Sequence, residues 1–260
     1  MAKTQYIGVA GVARNASKQY IGVGGVARNV KSAYVGVDGV ARQYLGSGFR
    51  VSDLPIGSSV YMKIDGVSKE CIVVHKGNPD AAHYDNSCNG VWVLMKDIYL
   101  TTIMSSSYTD YPKTSLHAYL NNKFFDLLDA PAKSAIKEVV LPYMKTDKTV
   151  MSGADGVTTR VFLLSMQELG FAYSELGDGR KLDYFNGDDV RKLRTARYNG
   201  SAHPWWMRTP EVIISGRRRY YFVTYDGISS SGDESSVVGV RPAFILEPSA
   251  IVSQNTMTII

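Results

Sequence analysis

The chain has 260 residues, of which 45% are hydrophobic and 20% are charged. This composition is typical of a globular protein with one or two domains, and it excludes a collagen, a coiled coil and a fully disordered chain. No window approaches 18 consecutive apolar residues, and the first residues lack the apolar core of a signal peptide. We therefore expect synthesis in a cytosol and no membrane insertion.

The positive charge is concentrated at the N-terminus. The chain carries a net charge of +5, but residues 1–50 hold seven Lys/Arg against one acid, whereas residues 51–260 hold 22 Lys/Arg against 23 acids. A nearly neutral main segment gives no electrostatic reason to bind nucleic acid, although the basic segment could dock on an acidic partner.

The two cysteines, Cys71 and Cys88, match no metal-binding or redox spacing. We expect two free thiols, and a disulfide stays open as an alternative if the protein acts outside a cell.

A repeat of 14 residues occupies the N-terminal segment, with copies at residues 5–18, 19–32 and 33–46. Each copy joins a Tyr-Ile/Val-Gly-Val run to Val-Ala-Arg through a Gly-centred turn, which predicts strand, tight turn and short strand. Gly22, Gly24 and Ala27 satisfy the loose GxGxxA pattern, but no amphipathic helix follows, so we expect no nucleotide site. The repeat predicts an extended arm of short β-strands that packs on another chain or acts as a tether.

The linker Gly46–Gly48 separates this arm, residues 1–48, from a domain over residues 49–260. Alternating apolar residues around Asp65-Gly66 predict a hairpin, and residues 90–100 predict a third strand. Further along the domain we expect a helical hairpin over residues 115–140, and then a strand that leads into a short helix over residues 158–171. The C-terminal third, residues 203–246, is predicted to be rich in strands and loops. The fold class is α+β.

Two blocks in the C-terminal third resemble a known family. WWMRTP (205–210) and GVRPAF (239–244) look like the WWLRSP and GVRPA signature of the bacterial and phage DUF6273 family, and SLHAYLN (115–121) and VFLLSMQE (161–168) resemble other segments of it. The resemblance covers roughly residues 50–248. It implies a C-type-lectin-like fold, similar to sulfatase-modifying-factor domains and to the variable proteins of diversity-generating retroelements. The GVxGVAR arm resembles N-terminal repeats of tail proteins in gut phages and prophages.

The signature residues are predicted to form a structural framework, with direct ligand contact left open. Tryptophan side chains can anchor a loop-rich region, and arginine can donate several hydrogen bonds to loop carbonyls. The predicted framework residues are Trp205, Trp206, Arg208, Pro210, Arg241 and Pro242.

The stretch between the two blocks is predicted to bind a ligand. Arginine and tyrosine dominate binding hot spots, and they suit sugar faces, carboxylates and acidic glycans. The alternative is a strand with a solvated face and a core face. Residues 212–222 contain no Lys, Glu, Gln, Met or Trp, which is compatible with diversification by a retroelement. The predicted ligand-binding residues are Glu211, Arg217, Arg218, Arg219, Tyr220, Tyr221, Tyr225 and Asp226.

Catalytic and metal-binding motifs are missing from the sequence. There is no HExxH, GxSxG, Walker or EF-hand pattern, and the four histidines are scattered. The C-terminal cysteine pair of the sulfatase-modifying relatives is absent, and Glu247-Pro248-Ser249 only approaches the calcium-binding EPN triplet of animal lectins. We predict no enzyme, no cofactor and no metal; the alternative is an enzyme that uses His203, Glu211 or Asp226 on the same scaffold.

Together, the resemblance of the domain to the DUF6273 family and that of the arm to repeats of tail proteins imply a tail-associated adhesin of a phage or prophage. Its C-terminal loops would bind a bacterial surface glycan or protein, and residues 1–48 would contact other tail proteins. The analogy with tail adhesins implies a homotrimer. The protein would be made in the host cytoplasm and act outside the target cell, in the virion tail. A purely structural virion protein is the other alternative.

Overall fold

The computed structural model describes residues 48–107, 109–171, 177–211 and 219–260, together with the backbone of six strands in residues 6–45. The chain divides into two units, Met1–Gly48 and Phe49–Ile260. In the described part of the chain, no helix is long and apolar enough to cross a membrane.

The first unit contains three antiparallel hairpins, one in each copy of the repeat. The paired valines Val9 and Val12 leave two residues between the strands, and the same register recurs in the next two copies. Glycine in the second of these two positions fits the sequence preference of hairpin turns, and the two predicted strands of each copy agree with the strand pairs. The strands are β1 (Tyr6–Val9), β2 (Val12–Asn15), β3 (Tyr20–Val23), β4 (Val26–Asn29), β5 (Ala33–Val37) and β6 (Val40–Leu45).

The second unit is an α+β domain rich in short strands, as the sequence predicts. Its strands are β7 (Gly48–Arg50), β8 (Ser59–Ile64), β9 (Val67–Gly77), β10 (Gly90–Met95), β11 (Leu100–Thr102), β12 (Val139–Leu141), β13 (Tyr143–Met144), β14 (Val150–Met151), β15 (Val157–Thr159), β16 (Arg197–Tyr198), β17 (Ser201–Ala202), β18 (Trp205–Pro210), β19 (Arg219–Val223), β20 (Ser229–Asp233), β21 (Val238–Val240), β22 (Ala243–Leu246) and β23 (Ile251–Ser253).

The helices of this domain are short. They are α1 (Ser115–Tyr119), a π-helical turn (Leu120–Phe124), α2 (Ala130–Ala135) and α3 (Val190–Arg194), with 3₁₀ turns at Val51–Asp53, Asn86–Cys88, Tyr111–Lys113, Gly153–Asp155 and Asp183–Asn186.

Two sheets organise the domain. The first has the order β22-β10-β9-β8, and the second has the order β11-β21-β18-β19-β20, antiparallel except for β18 and β21. The predicted hairpin is present, since Asp65 and Gly66 adopt φ values of 51° and 72° between the paired residues Ile64 and Val67. Every residue of the central strand β10 is buried, which explains its unbroken apolar sequence.

The helical hairpin is shorter and less regular than predicted, and Asn121 explains the irregularity. Its side-chain amide donates to the carbonyls of His117 and Val161, and its Oδ1 accepts from Thr159 Oγ1 and from two backbone N–H groups, at Arg160 and Val161. These bonds tie the loop after β15 to the helix at the π-helical turn, where an inserted partner commonly disturbs the helical ladder.

The predicted helix after Val161 is wrong. Residues 166–170 form turns and not a regular helix. Ser165 N–H donates to Glu168 Oε2 (2.9 Å) and Glu168 N–H donates to Ser165 Oγ (3.2 Å), which are the reciprocal bonds of a capping box. The segment ends after this one turn at Gly170, whose φ of 74° does not continue a helix.

Candidate functional site

The signature block WWMRTP forms strand β18, and all six of its residues are buried. Trp206 pairs with Phe222 of β19 and Pro210 pairs with Tyr220, so three residues of β18 face one residue of β19. This bulge releases Arg208 from the ladder, and Arg208 N–H donates to Leu164 O instead (3.1 Å). A bulge re-aims side chains, and here two consecutive residues, Arg208 and Thr209, both contact buried acids.

Arg208 and Glu168 form a fully buried ion pair. Two nitrogens of the guanidinium contact the two carboxylate oxygens, at 2.5 and 2.6 Å, and Tyr84 Oη donates to Glu168 Oε1 (2.9 Å). Arg208 also donates to the carbonyls of Pro142, Leu163 and Asp178. Burial opposes the charge of Arg208, but the carboxylate of Glu168 outweighs it, so the pKa of Arg208 lies above its usual value. A buried charge requires a full set of hydrogen-bond partners, and these contacts provide one for Arg208.

Asp178 is a second buried acid beside this pair. Its Oδ2 accepts from Thr209 Oγ1 (2.5 Å), and its Oδ1 has no hydrogen-bond partner among the described residues. Burial raises the pKa of Asp178 to about 6, although the charge of Arg208 and the Thr209 hydroxyl oppose this rise.

The raised pKa of Asp178 gives a testable pH dependence of stability. The folded protein holds this proton more tightly than the unfolded chain, whose carboxyl has a pKa near 3.8. The free energy of unfolding should therefore fall by roughly 1–3 kcal/mol as the pH rises from about 4 to 6, and this contribution should stay constant above pH 6. Urea unfolding across this range should show the slope, and Asp178→Asn should remove it. An unchanged slope in the variant would contradict the assignment.

The other framework residues are also buried. Trp205 Nε1 donates to Arg194 O (2.9 Å), and Trp206 Nε1 donates to Thr102 O (3.0 Å). Arg241 lies over the Trp205 ring, 5.0 Å from its centroid, and its Nε donates to Met95 O (2.7 Å). Pro210 and Pro242 are buried, and Pro242 O accepts from Met95 N–H (2.9 Å). These contacts hold β18, β21 and β10 together.

The predicted ligand-binding residues separate into two groups at opposite ends of β19, a strand that spans about 13 Å. Glu211 and Arg219 lie at one end: Glu211 N–H donates to Arg219 O (2.8 Å), and their side chains approach to 3.4 Å. Tyr225 and Asp226 lie in the turn at the other end, where Thr224 Oγ1 donates to Asp226 Oδ1 (2.5 Å). Tyr221 is half-buried between them.

Tyr220 does not fit a ligand-binding role, and its assignment to the site is corrected. Its side chain is completely buried, and its hydroxyl donates to Thr109 O (2.6 Å). Alternation along β19 places Tyr220 on the face that packs in the core, so its ring is not available to a ligand. Arg217 and Arg218 lie outside the described residues.

The three residues of the enzyme alternative do not share one pocket. His203 precedes β18 and Glu211 follows it, and Asp226 follows the β19 residue, Val223, that pairs with the first residue of β18. Glu211 therefore lies at the opposite end from His203 and Asp226. Among the described residues, no three His, Cys, Asp or Glu side chains are grouped closely enough to hold a metal ion.

A well-defined groove lies away from both groups. It has a volume of about 480 Å³ and is lined by residues of β11 and α1, among them Leu100, Thr102, Leu116 and Tyr119. Strand β11 forms one edge of the five-stranded sheet, whereas β20, next to β19, forms the other edge. None of the described residues of the predicted ligand-binding set lines this groove.

Sequence reasoning missed Glu168, Asp178 and Asn121, which complete the framework. A signal was available for Glu168, because an acid within the apolar run 161–171 requires a buried cation.

Both cysteines are free, as expected, and the structure shows that both are buried. Burial is the main cause that raises the pKa of each thiol to about 12.

One comparison with known proteins gives a match. The family described as "Domain of unknown function (DUF6273)" matches residues 89–248. No curated protein matches the chain, and no solved structure matches it. The matched range contains both signature blocks, the buried Arg208–Glu168 pair and the strands β18 and β19. The chain therefore belongs to the DUF6273 family.

Proposed function

We propose that the chain is a tail-associated receptor-binding protein of a phage or prophage. In this proposal the DUF6273 region is a C-type-lectin-like domain without catalytic activity or cofactor, and it binds a bacterial surface glycan or protein. The observation that carries the proposal is the surface at the loop end of β18 and β19, built from Glu211, Arg219 and Tyr221. We call it the loop-end surface.

The loop-end surface lies at the end of a buried strand and carries charged and aromatic side chains. Strand β18 is buried along its whole length and held by Arg208, and Glu211 directly follows this strand. Arg219 is about one-third exposed, contacts Glu211 and donates to Ser231 O (2.6 Å). Binding residues are commonly carried on loops positioned by a rigid scaffold, and arginine with tyrosine suits recognition of carboxylates and sugar faces.

The arm is proposed to assemble copies of the chain and to attach them to other tail proteins. Each of its hairpins pairs only two strands, and a two-stranded hairpin alone is at best marginally stable in water. Partner strands would complete these sheets. A homotrimer is proposed by analogy with tail adhesins, and several linked sites would let weak individual binding suffice.

The proposal predicts that the loop-end surface is required for attachment to cells. We expect the full chain carrying Glu211→Ala, Arg219→Ala and Tyr221→Ala to bind target bacteria at least about 10-fold more weakly, because hot-spot residues carry most of the binding energy. Tyr220→Phe is the matched control, since it changes a neighbouring buried residue and leaves the surface intact. Flow cytometry with labelled protein on a panel of bacteria measures both.

Equal binding by the triple variant and the unmodified chain would refute the loop-end surface as the site. Unfolding is monitored by circular dichroism, so that a loss of binding can be assigned to the surface. Sequencing the gene tests separately whether a retroelement diversifies residues 212–222. Such a retroelement mutates adenines, so diversification requires adenine-rich codons in this range.

A further inference from the structure

We propose that the arm docks on a protein partner whose surface carries both apolar and acidic residues. It does so through one face of each hairpin, which we call the arginine face. This inference rests on the attachment role that the proposed function gives to the arm, and it deepens that role by naming the chemistry of the partner. The arginine faces consist of Ile7, Val9, Val12 and Arg14, then Ile21, Val23, Val26 and Arg28, and last Val35, Val37, Val40 and Arg42.

The strand register places these four residues of each copy on one face. In the first hairpin, Ile7 pairs with Arg14 and Val9 pairs with Val12. Directly paired residues share a face of a sheet, as do residues two apart along one strand. The four residues therefore share one face, and the second and third hairpins repeat the arrangement through the pairs Ile21–Arg28, Val23–Val26, Val35–Arg42 and Val37–Val40.

The opposite face of each hairpin has no charged residue in the paired positions. In the first hairpin it contains Tyr6, Gly8, Ala13 and Asn15. All the positive charge of the paired positions therefore belongs to the arginine faces, with one arginine in each hairpin. The equivalent uncharged residues of the other copies are Tyr20, Gly22, Ala27, Asn29, Tyr34, Gly36, Ala41 and Gln43.

The aliphatic residues of the arginine face favour a protein partner. Three of the four residues on each face are valine or isoleucine. Each hairpin is a sheet of two strands, which cannot bury an apolar face by itself and is stabilised by packing against another layer. Sheets that pack face to face lie about 10 Å apart and interdigitate their side chains. A strand-rich surface of a partner protein would cover these residues in this way.

The charge of the arm selects an acidic partner. Residues 1–50 hold seven Lys/Arg against one acid, Asp38. A second copy of the arm on the arginine face would bring two strongly positive segments together, and like charges repel each other. A carboxylate of the partner instead forms charge-assisted, forked hydrogen bonds with an arginine. The arginine face therefore fits a protein surface that places acidic residues among apolar ones.

The composition of the same face disfavours nucleic acid as the ligand. Most hydrogen bonds between proteins and DNA go to phosphate and sugar, and these interfaces are more polar and more positive than those between proteins. One arginine among three aliphatic residues does not provide such a surface. Duplex DNA is therefore expected to bind more weakly than an acidic, partly apolar protein surface.

The test uses the full chain and a synthetic peptide of repeated Val-Thr-Glu-Thr units, in which valine and glutamate alternate on one face of a strand. Three probes serve for comparison: a Val-Thr-Lys-Thr peptide, a Ser-Thr-Glu-Thr peptide and duplex DNA. Fluorescence anisotropy of the labelled probes measures affinity. We expect the Val-Thr-Glu-Thr peptide to bind, more weakly as salt is added, and the three other probes to bind at least about 10-fold more weakly.

Replacing the three arginines tests whether the arginine faces are the site. Arg14→Gln with Arg28→Gln and Arg42→Gln should weaken binding of the Val-Thr-Glu-Thr peptide about 10-fold or more. Each single replacement should weaken it less, because two intact faces remain on the same chain. Circular dichroism checks that every variant remains folded.

The matched control removes the same charge from elsewhere in the arm. Lys3→Gln with Lys18→Gln and Lys31→Gln changes three cations outside the sequence ranges of β1–β6, and it should keep the affinity within about threefold. The loop-end triple variant should bind the peptide normally, which separates this inference from receptor recognition. No binding of the Val-Thr-Glu-Thr peptide, equal or tighter binding of a comparison probe, or equal losses in the lysine and arginine variants would each overturn the proposal.

Discussion

Replacing Arg208 with methionine is expected to lower the free energy of unfolding by about 3–5 kcal/mol, because the change leaves the Glu168 carboxylate buried without a cation. Both side chains are completely buried. The variant also removes the donor for three carbonyls, those of Pro142, Leu163 and Asp178. Urea unfolding of the full chain, followed by circular dichroism, measures the loss.

Two further variants test whether the buried charge is the cause. Adding Glu168→Gln to Arg208→Met should recover at least about 1 kcal/mol, because it removes the unpaired charge. Arg160→Met is the surface control: Arg160 and Glu138 pair at 2.8 Å with about half of each side chain exposed, so the cost should stay within about 1 kcal/mol. Equal losses in Arg208→Met and Arg160→Met would contradict the role of the buried pair.

Replacing Trp206 with alanine is expected to destabilise the domain by about 3–5 kcal/mol through the cavity that it leaves. The Trp206 side chain is completely buried, its ring meets that of Phe222 edge to face with centroids 5.9 Å apart, and its indole N–H donates to Thr102 O. In a domain of this size, such a loss should lower the melting temperature by roughly 6–20 °C.

Tyr225→Ala is the control for Trp206→Ala. It also truncates an aromatic residue of the same sheet region, but its side chain is 67% exposed. The expected change is within about 0.5 kcal/mol, which is usual for an exposed site. A melting temperature for Trp206→Ala within a few degrees of the unmodified protein would show that Trp206 does not anchor the sheet.

The elements that follow from local patterns were predictable from the sequence. The repeat predicted three hairpins, and Asp65-Gly66 predicted the hairpin between β8 and β9. Each of these signals depends on residues that are close in the chain. Membership of the DUF6273 family was likewise recognisable from the two signature blocks.

The failures of prediction depend on contacts between distant residues. The Glu168 carboxylate is buried because Arg208, 40 residues away, pairs with it, and helix propensity contains no information about that partner. Alternation showed that β19 has two faces, but it did not show that Tyr220 lies on the inner one, where its hydroxyl donates a hydrogen bond to Thr109 O. The separation of Glu211 from Asp226 follows from the pairing of β18 with β19, which composition alone does not specify.

We propose that the protein recognises a structure on bacterial cells. The most direct test of this proposal is the binding of the labelled full chain to a broad panel of gut bacteria and to their isolated surface glycans. We predict saturable binding to a subset of strains, which the unlabelled chain competes away. Absence of binding across the panel, or equal binding to all strains, would contradict receptor recognition and would favour a purely structural role in the virion.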